Sequence, residues 1–564
     1  MTFFTDNKLF IDQVGRLFSF GAIFETYTTK PKTRVEMRML RASAFIRSTP
    51  EWSSQLNDKA KCQKWIAQVK DTFNLTDKEV AYVFEELNYY ALLKESGVGG
   101  EELGAIDNVW IANTASDCGL AKEFMLNAGI LENDLVQAES TGGDVLPIAG
   151  SRTLVDPFLY SFSSANSLLL GTPATTSEAA LYTSLPRSKP ASPEYWSLAV
   201  RNRNATLSAD ESAFDRRIVA EIKEECVSWL PTDFYVNDDG SVTISSYINN
   251  LHPTRYSSLY QSISKVFAKC VPLLEQVTTD AIHPRSLRAE FDRDLCFERG
   301  VDFPTELMQY IWEERPLPSG WIKKMPYIEP APLSFSQSDR LVKPYSMHGM
   351  PLQASVEMAS ISLTPESPTH PGKEWQAVGR FEERVFAVGL YFYDVENIAS
   401  PRLEFRDPVG KRNIINMGTK LEFCLAHDID LDYGNGCLYS QEVGDIEIKS
   451  GDFICYPNYY QTKMPMLELA DSTRSGHLKY IAFYVVDPSS RLISTGLVPP
   501  QQPNWTSVGD SPLVIEGPST HDHSNATEAS DRLRYLHTEC NKAAEGRFSV
   551  HMTVGGDEDE YTIV

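Results

Sequence analysis

The sequence lacks the features by which membrane and secreted proteins are recognised. No run of about 18 apolar residues is present, which excludes an ordinary transmembrane helix. Near the N-terminus, Asp6 and Asp12 stand where a secretory signal has a basic start and an unbroken apolar run. We therefore expect a cytoplasmic protein.

Positive charge and paired cysteines are also scarce. The chain has 76 acidic against 52 basic residues and a formal net charge of -24, which repels phosphate backbones and anionic lipid. We expect neither nucleic acid nor a membrane as a partner. The nine cysteines are scattered and none forms a CxxC pair, so no zinc knuckle or redox pair is indicated. Phosphate-binding glycine loops and the hydrolase G-x-S-x-G elbow are absent too.

What is present is a chain of 564 residues, 42% of them hydrophobic, which is enough for more than one core. Residues 1–95 are predicted to form a helical N-terminal region, with a capping box at 76–79. Residues 96–344 are predicted to be a mixed region. Up to about residue 215 its Gly, Ser, Thr and Pro content indicates mostly loops and short elements.

The pattern changes to β in the second half of the chain. LQASVEMASISLT (352–364) alternates, and ERVFAVGLYFYD (383–394) is nearly continuous in apolar and aromatic residues. Such short strands without helical crossovers predict a sandwich or jelly roll over residues 345–505. Residues 506–564 lose apolar density, end in an acidic run and are predicted to be a mobile tail.

Four blocks of the chain resemble a large fungal family, a domain of unknown function related to the iron- and 2-oxoglutarate-dependent oxygenases. They are MRMLRASAFIRSTPEW (37–52), SYINNLHP (246–253), SISLTPESPTHPGKEW (360–375), and the run from YPNYYQ (456–461) to VDPSSRLISTGLVPPQQ (486–502). The resemblance implies an α+β protein. Its helical N-terminal part is followed by a double-stranded β-helix, a jelly-roll barrel of cupin-like type.

The chain departs from that family at the positions that would hold iron and cosubstrate. The family has Trp-His-x-Glu-Gly, then Asn-Glu-His, a distal His and an Arg, which suit Fe(II) and the 2-oxoglutarate carboxylate. Here Gln376 and Val378 replace the first His and the acid, and Arg384 replaces the second His. Thr462 replaces the distal His and Leu478 replaces the Arg. The resemblance therefore implies no metal and no cofactor.

Histidines elsewhere offer few substitutes. The one His-x-acid sequence, His537-Thr538-Glu539, lies in the predicted tail. Whether His427 or His477 restores a metal site stays open from the sequence.

A barrel without its metal keeps a cavity, and the replacements make that cavity more apolar and less charged. We expect Gln376 and Thr462 to act in catalysis through hydrogen bonds. The expected substrate-binding side chains are Val378, Arg380, Arg384, Tyr393, Tyr460 and Leu478.

The leading hypothesis is a metal-independent enzyme that cyclises or isomerises a largely apolar fungal secondary metabolite, for example by a pericyclic, Diels–Alder-type step. Two alternatives stay open. One is a non-catalytic pseudoenzyme that binds a metabolite or an active paralogue, which a hetero-oligomer would favour. Whether the protein forms a homo- or hetero-oligomer stays open from the sequence. The other is an active Fe(II)/2-oxoglutarate dioxygenase with atypical ligands.

Overall fold

The computed structural model describes the greater part of the chain, in segments. These are residues 31–95, 102–104, 106–113, 118–140, 150–163, 167–169, 189–190, 227–283, 287–289, 329–335, 345–376, 378–380, 383–409, 426–427, 439–488, 491–502, 505 and 529–538. They combine helices with antiparallel sheets, so the fold class is α+β. Within these segments, no helix is both long enough and apolar enough to cross a membrane.

The N-terminal part contains four helices where the sequence predicts helix: α1 (Arg34–Arg47), α2 (Trp52–Gln55), α3 (Lys59–Phe73) and α4 (Asp77–Glu95). Side chains cap the first turns of α1, α3 and α4. Thr33 and Glu36 form a reciprocal capping box before α1. The predicted box before α4 is also formed, since Thr76 N donates to Glu79 Oε2 at 2.7 Å and Glu79 N to Thr76 Oγ1 at 3.3 Å.

A long helix, α5 (Cys118–Ser140), lies in the region where the sequence predicts mostly loops. Its buried residues Leu120, Phe124, Ala128 and Leu131 recur at helical spacing, which the glycines and polar residues between them obscure. The last long helix, α6 (Ser257–Ile282), contains Pro272 and buries one face along its length.

Nine short strands precede the β-rich half. They are β1 (Glu102–Leu103), β2 (Trp110–Asn113), β3 (Ser151–Val155), β4 (Phe162–Ser163), β5 (Leu168–Leu169), β6 (Lys189–Pro190), β7 (Val227–Ser228), β8 (Thr232–Val236) and β9 (Val242–Ile244).

Ten further strands form the β-rich half. They are β10 (Met350–Leu363), β11 (Thr369–His370), β12 (Lys373–Gln376), β13 (Val385–Glu396), β14 (Arg402–Val409), β15 (Tyr439–Glu447), β16 (Asp452–Pro457), β17 (Gln461–Met464), β18 (Leu467–Glu468) and β19 (Gly476–Val486).

Two of the sheets take up most of these strands. The large sheet has the order β1-β2-β16-β13-β19-β10-β8-β9, with β3 also paired to β10. The small sheet has the order β12-β17-β14-β15. The chain therefore passes back and forth between the two sheets from β10 to β19, and all pairs are antiparallel.

The long helices cover one face of the large sheet. Phe124 of α5 lies 4.9 Å from the ring of Tyr393 on β13. Gly389 of β13 faces α6, where a Cβ would lie 3.6 Å from Cys270 Sγ. One continuous hydrophobic core joins these helices, α1 and both large-sheet faces. The other face of the large sheet packs toward the small sheet, since the hydroxyl of Tyr456 on β16 lies 3.4 Å from that of Thr462 on β17.

Part of the predicted mobile tail is ordered against the rest of the protein. Residues 529–538 are helical. Leu533 is fully buried in the main core, and Ala529 is nearly so. Ala529, Leu533 and Leu536 are few apolar residues in a polar segment and give a weak signal, which is why the sequence pattern missed this helix. Residues 506–528 and 539–564 lie outside the described residues.

Candidate functional site

The two residues predicted to act in catalysis are direct neighbours across strands. Gln376 of β12 is the register partner of Thr462 of β17. Residues opposite each other in an antiparallel pair project to the same face. The Thr462 hydroxyl lies 3.4 Å from the hydroxyl of Tyr456, which belongs to the large sheet. Gln376 and Thr462 therefore face the space between the sheets.

The opposite face of the small sheet is occupied by a cation–π contact. The guanidinium of Arg406 lies 4.6 Å from the ring centre of Trp375, and Lys463 Nζ lies 5.9 Å from it. Because side chains alternate along a strand, the outward Trp375 and Lys463 leave their neighbours Gln376 and Thr462 pointing inward.

A partly buried polar cluster lies between the two sheets beside this pair. Lys373 Nζ donates to the Tyr480 hydroxyl at 2.6 Å. Tyr480 donates to Glu357 Oε1 at 2.8 Å, and Tyr484 donates to Glu357 Oε2 at 2.7 Å. Lys373 Nζ also lies 3.4 Å from Glu357 Oε1. We call these four residues the interior cluster.

The charges of the interior cluster stabilise one another. Burial raises the pKa of Glu357, but the Lys373 charge and the two tyrosine hydroxyls outweigh burial and hold this pKa below its usual value. Desolvation lowers the pKa of Lys373, and the Glu357 charge more than offsets it, so this pKa is raised. Both groups are therefore ionised at neutral pH, and neither is suited to act as a general base or a nucleophile.

The other predicted binding residues are distributed around this centre. Leu478 is buried on β19, opposite Ile361 and two positions before Tyr480, so it faces the same space. The carbonyl of Val378 accepts a hydrogen bond from Asn458 Nδ2 at 2.7 Å. The Tyr460 hydroxyl donates to the Asp107 carbonyl at 3.0 Å.

Two predicted arginines lie where β12 leads into β13. Arg380 is buried, donates to the Val227 carbonyl at 3.2 Å and lies 3.8 Å from Glu383. Arg384 has a left-handed φ of 48°, and its carbonyl accepts from Asp487 N at 2.8 Å. Arg380 is thus committed to a protein carboxylate and a protein carbonyl.

Tyr393 lies on the other side of the large sheet. Its ring packs against Phe124 of α5, which covers the helix-facing side. The Tyr391–Tyr393 segment of β13 contains an irregularity in its pairing with β19, which shifts the side-chain alternation near that point. Tyr393 was predicted to bind substrate, and its ring lies on the face of the large sheet opposite to that of Tyr480.

The two histidines singled out as substitute ligands lie apart from this site. His477 Nε2 lies 2.7 Å from Asp394 Oδ2. His427 is buried, and its carbonyl accepts a hydrogen bond from Gln441. No group of three His, Cys, Asp or Glu side chains that could hold a metal occurs within the described segments.

A stack of rings links the interior cluster to the helical segment 529–538. Trp229 stacks on Tyr484 with ring centres 4.9 Å apart, and His537 lies 4.7 Å from Trp229. His537 Nε2 in turn lies 3.3 Å from Glu383 Oε1. The predicted tail thus contributes a side chain next to the site.

The interior cluster was not predicted from the sequence, and the interior is therefore more polar than the replaced positions imply. Glu357 and Lys373 are both charged, and three tyrosine hydroxyls surround or adjoin them. One signal was present, namely a single charged residue within the largely buried strand LQASVEMASISL. A lone charge in such a strand requires a partner, but its identity depends on which strands become neighbours.

The fold and site define an α+β protein with a polar centre between two antiparallel sheets. The family model described as Protein of unknown function (DUF4246) matches residues 77–508. The match covers well over half of the chain, and the protein belongs to this family. No curated protein matches the chain.

Two solved structures show only distant similarity. One is "Selenomethionine labeled Fe(II)/(alpha)ketoglutarate-dependent dioxygenase TqaL", with 8% identity and a TM-score of 0.19, covering 46% of this chain and 66% of that chain. The other is "Crystal structure of IDO from Bacillus thuringiensis", with 11% identity and a TM-score of 0.14, covering 24% of this chain and 50% of that chain. The matched part thus spans less than two thirds of either protein, and neither likeness carries weight below.

Proposed function

We propose that this protein is a metal-independent enzyme that binds a small, largely apolar metabolite between its two sheets and cyclises or isomerises it. The observation that carries the proposal is the pairing of Gln376 with Thr462 on the inward face, next to the interior cluster. Polar groups that converge in one enclosed space are typical of a ligand site.

The proposal includes the barrel type. From β10 to β19 the chain alternates between the large sheet and the small sheet, apart from the β14–β15 hairpin and the short β11–β18 pair. A double-stranded β-helix is built by this alternation, with the ligand held between the sheets. The strand orders β10-β19-β13-β16 and β12-β17-β14-β15 support such a barrel.

Barrels of this type in oxygenases use iron, and the donor set here does not fit that ion. Gln376 and Thr462 offer a neutral amide and a neutral hydroxyl, while Val378 offers no donor side chain. Fe(II) sites in such enzymes take two imidazoles and a carboxylate. The one carboxylate of the interior cluster, Glu357, is already bound by Lys373 and two tyrosines. We therefore propose no step through a metal.

Cyclisation and isomerisation suit the groups that are present. Such reactions need no redox partner, and holding a flexible substrate in one folded conformation removes much of the entropic barrier. A hydrogen bond from Gln376 or Thr462 to a substrate oxygen would stabilise charge that develops there. Within the described segments the Gln376 side chain has no hydrogen-bond partner of its own, so its amide is available for this role.

The test combines metal analysis with turnover. Purified protein is assayed for iron by elemental analysis, titrated with Fe(II) and 2-oxoglutarate, and incubated with unsaturated metabolites with and without EDTA. We expect substoichiometric iron and EDTA-insensitive product formation, which Thr462→Val and Gln376→Ala reduce. The control is Tyr393→Phe, on the far face of the large sheet.

Two outcomes contradict the proposal. Stoichiometric iron with 2-oxoglutarate binding and EDTA-sensitive turnover would identify an oxygenase with atypical ligands. Binding of metabolites without any conversion, together with formation of a hetero-oligomer with a related active chain, would identify a pseudoenzyme.

A further inference from the structure

Among the described residues, two groups accept hydrogen bonds from the Lys373 ammonium, which leaves one of its donors. A lysine ammonium carries three N–H donors. One is used by the Tyr480 hydroxyl at 2.6 Å, and a second points to Glu357 Oε1 at 3.4 Å. The Lys373 side chain is 35% exposed, whereas that of Glu357 is 13% exposed. Lys373 is thus the most exposed side chain of the interior cluster, and it carries the remaining donor.

The tyrosine hydroxyls cannot take this role. Tyr480 and Tyr484 both donate their protons to Glu357, so neither has a proton for a ligand. Burial raises the pKa values of both tyrosines, which keeps these protons in place. Lys373 is therefore the group in the cluster that can donate to a bound molecule.

We infer that Lys373 binds a neutral carbonyl oxygen of the substrate, which makes the substrate a ketone, enone or related carbonyl compound and not a carboxylic acid. This inference rests on the function proposed above and adds the substrate class to it.

The charge balance of the cluster selects the carbonyl. Glu357 already neutralises Lys373, so the pair carries no net charge. A substrate carboxylate would bring a second negative charge close to Glu357 in a partly desolvated space, where like charges repel strongly. A carbonyl oxygen accepts the free N–H of Lys373 without adding charge. Any negative charge that develops on this oxygen during cyclisation or isomerisation is then stabilised.

The experiment compares three probes of similar shape by ligand-observed NMR titration. They are benzylideneacetone, which carries an enone; cinnamate, which carries a carboxylate; and β-methylstyrene, which carries neither. We expect wild-type protein to bind benzylideneacetone about tenfold more tightly than either of the others, the effect of one hydrogen bond to a charged donor. Lys373→Met should abolish this preference.

A reversal of charge gives the sharper arm of the test. Glu357→Gln keeps an acceptor for the tyrosines and leaves Lys373 with an unbalanced positive charge. Cinnamate should then bind about tenfold more tightly than it binds the wild type. Lys373→Met leaves the Glu357 carboxylate without its cation. A second variant without Lys373, the double variant Lys373→Met/Glu357→Gln, therefore removes both charges of the pair. It should show no preference among the probes, and thermal unfolding checks that each variant is folded.

The outcomes separate this inference from the proposed function. If the enone preference is missing in the wild type, or persists in both variants that lack Lys373, the inference is overturned. The proposed function stands in that case if EDTA-insensitive turnover still falls in Thr462→Val. Conversely, an enone preference that depends on Lys373 in a protein whose turnover needs iron would support the inference and refute the metal-independent reaction.

Discussion

Removing Arg288 should destabilise the protein more than removing any surface arginine. Its guanidinium is 2% exposed and bridges two carboxylates. It donates to Glu86 at 2.9 and 3.2 Å and to Asp107 at 2.8 and 2.9 Å. Glu86 lies on α4, and the carbonyl of Asp107 accepts the Tyr460 hydroxyl from the turn before β17. Arg288 therefore connects the N-terminal helices to the strand that carries Thr462.

The size of the effect follows from the two carboxylates. Removing one partner of a buried ion pair typically costs about 3–5 kcal/mol, because the other charge loses its compensation. Arg288→Met affects two carboxylates at once, which favours the upper end of that range. Lys32 lies 3.9 Å from Asp107 and offsets part of the loss. We therefore expect about 5 kcal/mol, a large fraction of the stability of an ordinary protein.

The assay is urea unfolding at neutral pH, followed by tryptophan fluorescence and circular dichroism. The matched control is Arg255→Met. The Arg255 side chain is 62% exposed, and its guanidinium lies 2.9 Å from Asp134. An exposed pair of this kind contributes less than about 1 kcal/mol. If both variants lose the same small amount of stability, the argument that burial decides the effect is refuted.

Three further predictions concern the site and its surroundings. Gly372→Ala should lower the free energy of unfolding in urea by at least about 1–2 kcal/mol, because φ is +80° and a Cβ would overlap with the backbone between β17 and β18. The control is Gly129→Ala, which should not destabilise the protein because nothing lies within 4 Å of the added Cβ. Burial raises the pKa of Glu383, but the charges of His537 and Arg380 and their hydrogen bonds outweigh burial, so this pKa is lowered in the folded protein. The stabilisation from Glu383 is therefore present above the unfolded pKa of about 4.3 and is lost as the pH falls through the lower folded value. The stability difference between wild type and Glu383→Gln should therefore disappear in acid, and a difference that grows in acid would contradict this sign. Tyr393→Phe should leave the affinity for the probes unchanged. A tenfold loss of affinity would mean that Tyr393 belongs to the binding site.

Much of the secondary structure could be predicted because it depends on neighbours in the chain. Capping boxes at Thr33 and Thr76 and the apolar spacing of α1 and α4 are local features. The helix α5 was missed because its glycines and polar residues weaken the apolar helical spacing in the sequence. Its apolar face is stabilised by packing against β13, which the sequence does not show. The helix at 529–538 was missed for the same reason, since only packing reveals what Leu533 contacts.

The candidate site was only partly predictable. The resemblance singled out Gln376 and Thr462, which lie 86 positions apart in the sequence but face each other across β12 and β17. Nothing local indicated that Glu357, Lys373 and Tyr480 would meet, because they come from three strands in two sheets. The polarity of the interior was consequently misjudged, because it was inferred from the replaced positions alone.

By itself the sequence determined the helical character of residues 33–95, the β-rich character of the second half, the absence of common binding motifs and the neutral character of Gln376, Val378 and Thr462. These properties depend on residue type and short-range spacing, which a chain carries before it folds. Only the tertiary structure decided that Tyr393 faces the helices, that Tyr480 faces the interior, and that Glu357 neutralises Lys373. Such facts depend on strand register and sheet order, because a shift by one residue would move every side chain to the opposite face.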